Sequence, residues 1–206
     1  MLEHVPQWLG RAIRGLRAGP EKLAIADPAL GSGFSAMRLG SPAFADGARL
    51  PERFTADGAG LSPPLIWNDV PGEARALALI VEDPDAPFAQ PLVHAVVCGI
   101  EPEAGMLAEG AIVADGDGTP DGRDVGRNSY FREGWLPPDP PTGHGPHSYV
   151  FQLFALSEPI DPGASPGRSG LVAAMAGKVL AAGVLTGTYS RGEEAPVGPV
   201  GSALPA

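Results

Sequence analysis

Short apolar runs of strand length recur along this chain, each halted by proline or glycine, and twice an ionisable side chain sits at the halt. The first such island runs Leu77-Ala78-Leu79-Ile80-Val81-Glu82-Asp83-Pro84-Asp85-Ala86-Pro87 and continues to Val93-His94-Ala95-Val96-Val97. The second is Pro140-Pro141-Thr142-Gly143-His144-Gly145-Pro146-His147-Ser148-Tyr149-Val150-Phe151-Gln152-Leu153-Phe154. Apolar runs this short, bounded by turn residues, are the mark of strands. The 29 Gly and 24 Pro follow no repeat, so many tight turns join many strands. A chain of 206 residues with 44% hydrophobic content holds enough apolar surface for one full core.

Extended runs are predicted over Phe34 to Leu39, Ser41 to Phe44, Leu65 to Trp67, Ala76 to Glu82, Val93 to Ile100, Ser148 to Leu156 and Val184 to Tyr189. One helix is predicted over Gly170 to Ala182, before Gly183. At the N-terminus, Leu2, Val5, Leu9, Ile13 and Leu16 recur at helical spacing until Gly19-Pro20 stops them. This predicts an amphipathic helix over residues 1–18, its apolar face buried on its own domain or on a second subunit. Many strands and few helices predict a mainly β protein, an antiparallel β-sandwich of Greek-key type with peripheral helices and a helical arm. The expected organisation is an arm and linker over 1–30, a β domain over 31–192 and a flexible Pro/Gly-rich tail over 193–206.

A net charge of −10 argues against nucleic acid, which calls for a basic face. Residues 1–22 depart from that balance, with Arg11, Arg14, Arg17 and Lys22 against Glu3 and Glu21. A basic amphipathic arm can also lie on an anionic membrane, the weaker of its readings. No stretch approaches the roughly 18 consecutive apolar residues of a membrane span, and no secretory h-region is visible. The lone Cys98 reads as a buried small hydrophobe. A cytoplasmic protein is expected.

Strand parity places the chemistry. Successive side chains alternate faces, so His147, Tyr149, Phe151 and Leu153 share one side, and the apolar pair commits that side to the core. His94 shares its face with Val96 and Cys98. Pro84 biases Asp83 toward extended geometry at the end of its run. Buried together, a carboxylate, two imidazoles and a phenol must satisfy one another or bind something. A metal site lacks support from HxxxH, HExxH or paired-cysteine spacing. A serine nucleophile lacks its G-x-S-x-G elbow, since Gly126-Arg127-Asn128-Ser129-Tyr130 misses the final glycine. Recognition of a small anion by imidazolium, phenol and loop N–H donors fits best, with Asp83 orienting a histidine. No metal or cofactor is expected.

At these residues the chain resembles the phosphatidylethanolamine-binding protein family, in particular its bacterial Raf-kinase-inhibitor-like branch. Asp83-Pro84-Asp85-Ala86-Pro87 and the following strand with His94 match one signature; Pro140-Pro141, Gly143 and His147-x-Tyr149-Val150-Phe151 match the other. Asp57-Gly58, Ser62-Pro63-Pro64-Leu65 and Trp67-Asn68-Asp69-Val70-Pro71 match an early block. Trp135 stands where the family carries a tyrosine, and Ser148 where it carries an arginine. The resemblance covers roughly residues 38–191 and leaves the arm outside. It implies a β-sandwich whose pocket takes phosphate, phosphonate-like or carboxylate head groups through Asp83, Pro87, His94, Pro141, Gly143, His147 and Tyr149, supported from behind by Asp57 and Asp85. The expectation is a non-enzymatic binding protein that modulates an unnamed partner protein. The alternatives are a small hydrolase or lyase using His94 or His147 as acid/base, and a partner-binding module dimerising through the arm.

Overall fold

The computed structural model describes residues 6–116 and 123–191. In chain order the elements are helix α1 (Gln7–Ala12), strands β1 (Ser35–Ala36), β2 (Arg38–Gly40), β3 (Leu65–Asn68), β4 (Ala76–Asp83), β5 (Leu92–Ile100), β6 (Gly105–Leu107), β7 (Asp124–Val125) and β8 (His147–Leu156), helix α2 (Arg168–Met175) and strand β9 (Val179–Tyr189). Six strands form one sheet in the order β1-β9-β8-β4-β5-β7, and three form a second in the order β2-β3-β6. The protein is mainly β, with few and short helices.

Every residue of β4 is buried, because both faces of the large sheet are covered at this strand. Leu77, Leu79 and Val81 face a core completed by Leu65, Trp67 and Leu107 from the small sheet. Ala76, Ala78 and Ile80 face Ala24, Leu30, Leu171 and Met175 from the N-terminal segment and α2. A strand packed on both faces reads as an unbroken apolar run, and β4 does. The small sheet has one dry face, so β3 alternates: Leu65 and Trp67 are buried while Ile66 and Asn68 are exposed.

Four expectations are corrected. The sheets are not wholly antiparallel, since β1 lies parallel to β9 with Ser35 opposite Ala181. No hairpin precedes β1, so no turn dictates its direction; Phe34 to Leu39 instead divides at the buried Met37, which sends β1 and β2 to different sheets. Ser41 to Phe44 forms no strand, because the Ser41 hydroxyl donates to Pro64 O (2.6 Å) and accepts from Ala43 N (3.1 Å). The predicted helix to Ala182 stops at Met175, where Gly177 turns the chain at φ +71°. Val179 to Ala182 then pair with Leu156 to Phe154 of β8, and sheet pairing overrides the helix propensity of the alanines.

The N-terminal arm is corrected as well. Leu2 and Val5 lie outside the described residues, α1 spans six residues, and Leu9 and Leu16 are exposed. Its contact is made by backbone approach. A Cβ on the buried Gly10 would stand 2.2 Å from Thr142 O, so α1 sits on the second island through its glycine, not through an apolar stripe. The expected linker is likewise part of the core, with Leu23, Ala24 and Leu30 buried. It is pinned from below: Glu82 Oε2 accepts from Ala24 N (2.7 Å) and Gln152 Nε2 (2.8 Å), while Gln152 Oε1 accepts from Ile25 N (2.8 Å). Among the described residues no helix is long and apolar enough to cross a membrane.

Candidate functional site

β4 and β8 pair directly, and the ends they bring together carry the two islands. Asp83 closes β4 and His147 opens β8, both buried. Asp83 Oδ2 accepts from His147 Nδ1 at 2.7 Å, and its other oxygen accepts from Asp85 N at 2.8 Å, the turn that Pro84 makes stiff. Opposite Asp83, His147 Nε2 lies 2.8 Å from Nδ1 of the buried His144, whose Nε2 lies 3.1 Å from Ile13 O in the arm. Both ring nitrogens of His147 are therefore engaged outside any ligand. His144 was not singled out by sequence reasoning, because it sits in a loop where strand parity says nothing; its only signal was its place three residues before His147.

A cavity of about 290 Å³ opens beside this pair. Asp83, Pro87, His94, Pro141, His147 and Tyr149 all line it, with Trp135 and Pro140 closing the wall. His94 comes from near the start of β5 and donates Nδ1–H to Leu136 O at 2.6 Å. That bond fixes the tautomer and leaves Nε2 as the free nitrogen. Nε2 of His94 and the Tyr149 hydroxyl are both buried without a hydrogen-bond partner. The two rings meet edge to face at 5.0 Å, and Trp135 stands 5.9 Å from His94 and stacks on Phe151.

Burial pushes His94 below its ordinary value, against an opposing pull from Asp83, and the ring is neutral near pH 7. Burial and then Asp83 push the Tyr149 phenol well above 10, so it keeps its proton as a donor. The acidic side chains of the lining are turned to partners of their own. Asp83 serves His147, Asp139 serves Arg191, and Glu133 accepts from the Ser165 hydroxyl at 2.5 Å.

The remaining expected site residues lie behind the cavity. Asp85 pairs with Arg17 of the arm and accepts from Ser148 N at 2.7 Å. Asp57 accepts from Arg191 Nε (2.7 Å) and Nη2 (2.5 Å) and from the Tyr189 hydroxyl (2.7 Å). Arg191 in turn holds Asp139 and donates to Pro140 O, so Asp57 acts on the cavity wall through a guanidinium. Arg191 is a further residue that sequence reasoning missed; it follows the last strand with no local signal. Gly143 does not line the cavity. It adopts φ +83° beneath the arm, where a Cβ would stand 2.8 Å from Gln7. Among the described residues no group of three His, Cys, Asp or Glu side chains is arranged to hold a metal ion.

A mainly β chain that gathers a carboxylate, imidazoles and a phenol at one end of its central strands is, by fold and site, a pocket-bearing protein. The profile of the phosphatidylethanolamine-binding protein family matches residues 40–190, and the chain belongs to that family. A UPF0098 protein of Methanothermobacter thermautotrophicus is 44% identical over 158 residues, covering 76% of this chain and all of that one. The crystal structure of the phosphatidylethanolamine-binding protein homologue CT736 from Chlamydia trachomatis superposes with a TM-score of 0.68 at 35% identity, over 76% of this chain and 99% of the other. Escherichia coli YbcL, described as a member of the mammalian family, superposes with a TM-score of 0.70 at 27% identity over the same shares.

Proposed function

We propose that the cavity binds a small anionic head group, phosphate or carboxylate, and that the protein works as a binding protein rather than an enzyme. One observation carries this reading: His94 Nε2 and the Tyr149 hydroxyl are both buried, unpartnered and on one cavity. A buried polar atom left unpaired costs about 1–3 kcal/mol, and a ligand oxygen between the two recovers it. Tyr149 donates as it stands. His94 donates once protonated, and an anion beside it favours that proton. His147, held by Asp83, forms the wall and is not the primary donor. The cavity is at the small end of ligand sites, which suits a head group more than a large metabolite. Modulation of a partner protein through ligand occupancy remains part of the proposal.

Titration calorimetry with inorganic phosphate tests it. Affinity should rise as pH falls from 7 toward 5, because His94 takes up its proton below its ordinary value. Tyr149→Phe and His94→Gln should each weaken binding about tenfold or more, the loss of one charge-assisted hydrogen bond. Affinity indifferent to both substitutions and to pH rejects the anion reading. Turnover of a phosphoester or carboxylate ester that is lost in His94→Gln would assign the free Nε2 to acid/base work instead.

A further inference from the structure

Two hydrogen-bonded histidines join the buried carboxylate of the pocket to the backbone of the arm. The contacts run Asp83 Oδ2 to His147 Nδ1, His147 Nε2 to His144 Nδ1, and His144 Nε2 to Ile13 O, at 2.7, 2.8 and 3.1 Å. A carboxylate and a carbonyl only accept, so each ring must turn an N–H outward, His147 to Asp83 and His144 to Ile13. Two neutral imidazoles own two N–H groups. With both spent outward, two lone pairs confront each other across the middle contact. One proton more completes all three bonds.

We infer that residues 7–16 form a pH-sensitive strap across the loops that frame the pocket, closed while the His144–His147 pair carries one proton beyond two neutral rings. When that proton leaves, the middle contact is restored by turning the His144 N–H inward to His147. Its Nε2 lone pair then faces Ile13 O, and the arm loses that bond. The rest of the attachment lies further along the chain, where Arg17 pairs with Asp85, Ala18 N donates to Ala86 O (3.1 Å) and Gly19 N to Pro84 O (2.9 Å). Loosening therefore stops at residues 17–19, which act as the hinge.

The charged surroundings of the pair pull both ways. Asp83 and Asp85 from the end of β4 favour the added proton. Arg11 and Arg14, which pack on Gly143 and Gly145, oppose it with Arg17 and with any charge on His94. Tyr149 is neutral beside the pair, and beyond it Asp139 and Arg191 offset each other. Burial first, then His147 and Arg17, push His144 below its ordinary value, so the added proton is held less tightly than on a free imidazole. The arm lies outside the residues that the family profile matches.

The device needs no ligand, and its test is run on the full chain without phosphate, so its failure leaves the anion reading untouched. Amide hydrogen exchange between pH 5 and 8, corrected for intrinsic rates, should show protection in residues 9–16 falling about tenfold as pH rises, while β4 stays constant. In His144→Gln, which donates to Ile13 O without titrating, the arm's protection should no longer change with pH. Nitrogen-15 spectra of the wild-type imidazoles should show three N–H protons on the pair at the acidic limit and two at pH 8. Arm protection that ignores pH, an equal pH dependence in His144→Gln, or a pair with only two protons while the arm is protected each overturns the strap.

Discussion

Asp57 shows how much a single side chain does without touching the cavity. Its two oxygens hold the Arg191 guanidinium and the Tyr189 hydroxyl, and Arg191 passes that restraint to Asp139 and Pro140 in the wall. The hydrogen bonds from Arg191 outweigh partial burial and depress the carboxyl below its usual range. A carboxyl lowered on folding stabilises the native state above its unfolded value, near 3.9, and that contribution is lost as pH falls through the lower folded value. Asp57→Asn should therefore cost about 1–2 kcal/mol at pH 7 and less at pH 3, read from urea midpoints at both. An equal loss at the two pH values would show that the charge of Asp57 plays no part. Cys98 offers a contrast: burial and the surrounding carboxylates raise its thiol to about 12, so it behaves as a small apolar residue.

At the level of elements, β4 and β8 carry the site because they are adjacent, antiparallel and stiff. Their register sets Glu82 opposite Val150, which brings the next residue, Asp83, to the start of β8. The same end of β4 anchors the N-terminal segment through Glu82, whose carboxylate accepts from Ala24 N, Gln152 Nε2 and Arg168 Nε. Removing one partner of a buried ion pair leaves the other without compensation, and the cost exceeds the worth of the pair. Glu82→Ala should destabilise the fold by about 3 kcal/mol in urea unfolding. Amide exchange should also quicken selectively in residues 22–30. Exchange that quickens evenly through the sheet would mean the segment is not held by this network.

On the scale of the whole molecule, the central strands of the large sheet are dry on both faces, the small sheet is dry on one, and the arm lies across the rim of the pocket. Trp8, Leu9 and Leu16 remain exposed on the arm at 68%, 39% and 59%. Exposed apolar side chains grouped on one short segment fit burial against a second copy of the chain, one of the readings that the sequence left open for the arm. Light scattering should then give twice the chain mass for the full protein and a single mass for a form lacking residues 1–18. Equal masses for the two would exclude the arm as the contact.

Much of this was legible in residues alone. The apolar runs at 76–82, 93–100 and 148–156 declared strands, within one residue of the observed ends, because period and length are local properties, read from side-chain type along a few residues. Parity turned Tyr149 and His147 inward for the same reason, and the paired signatures identified the family. What escaped depended on partners distant in sequence. Val179 to Ala182 read as helix because alanine favours one, and only the waiting edge of β8 made them a strand. Leu9 and Leu16 recur at helical spacing but find no face to cover, because Gly10 and not an apolar stripe fits against Thr142. His144 and Arg191 lie in loops, where no periodicity fixes direction, and their roles arise from Ile13, His147, Asp57 and Asp139. Local spacing thus determined the central strands and turned Tyr149 and His147 inward. Long-range pairing decided which nitrogen atoms of the pocket remain free, since a hydrogen bond is spent only when the fold delivers its partner.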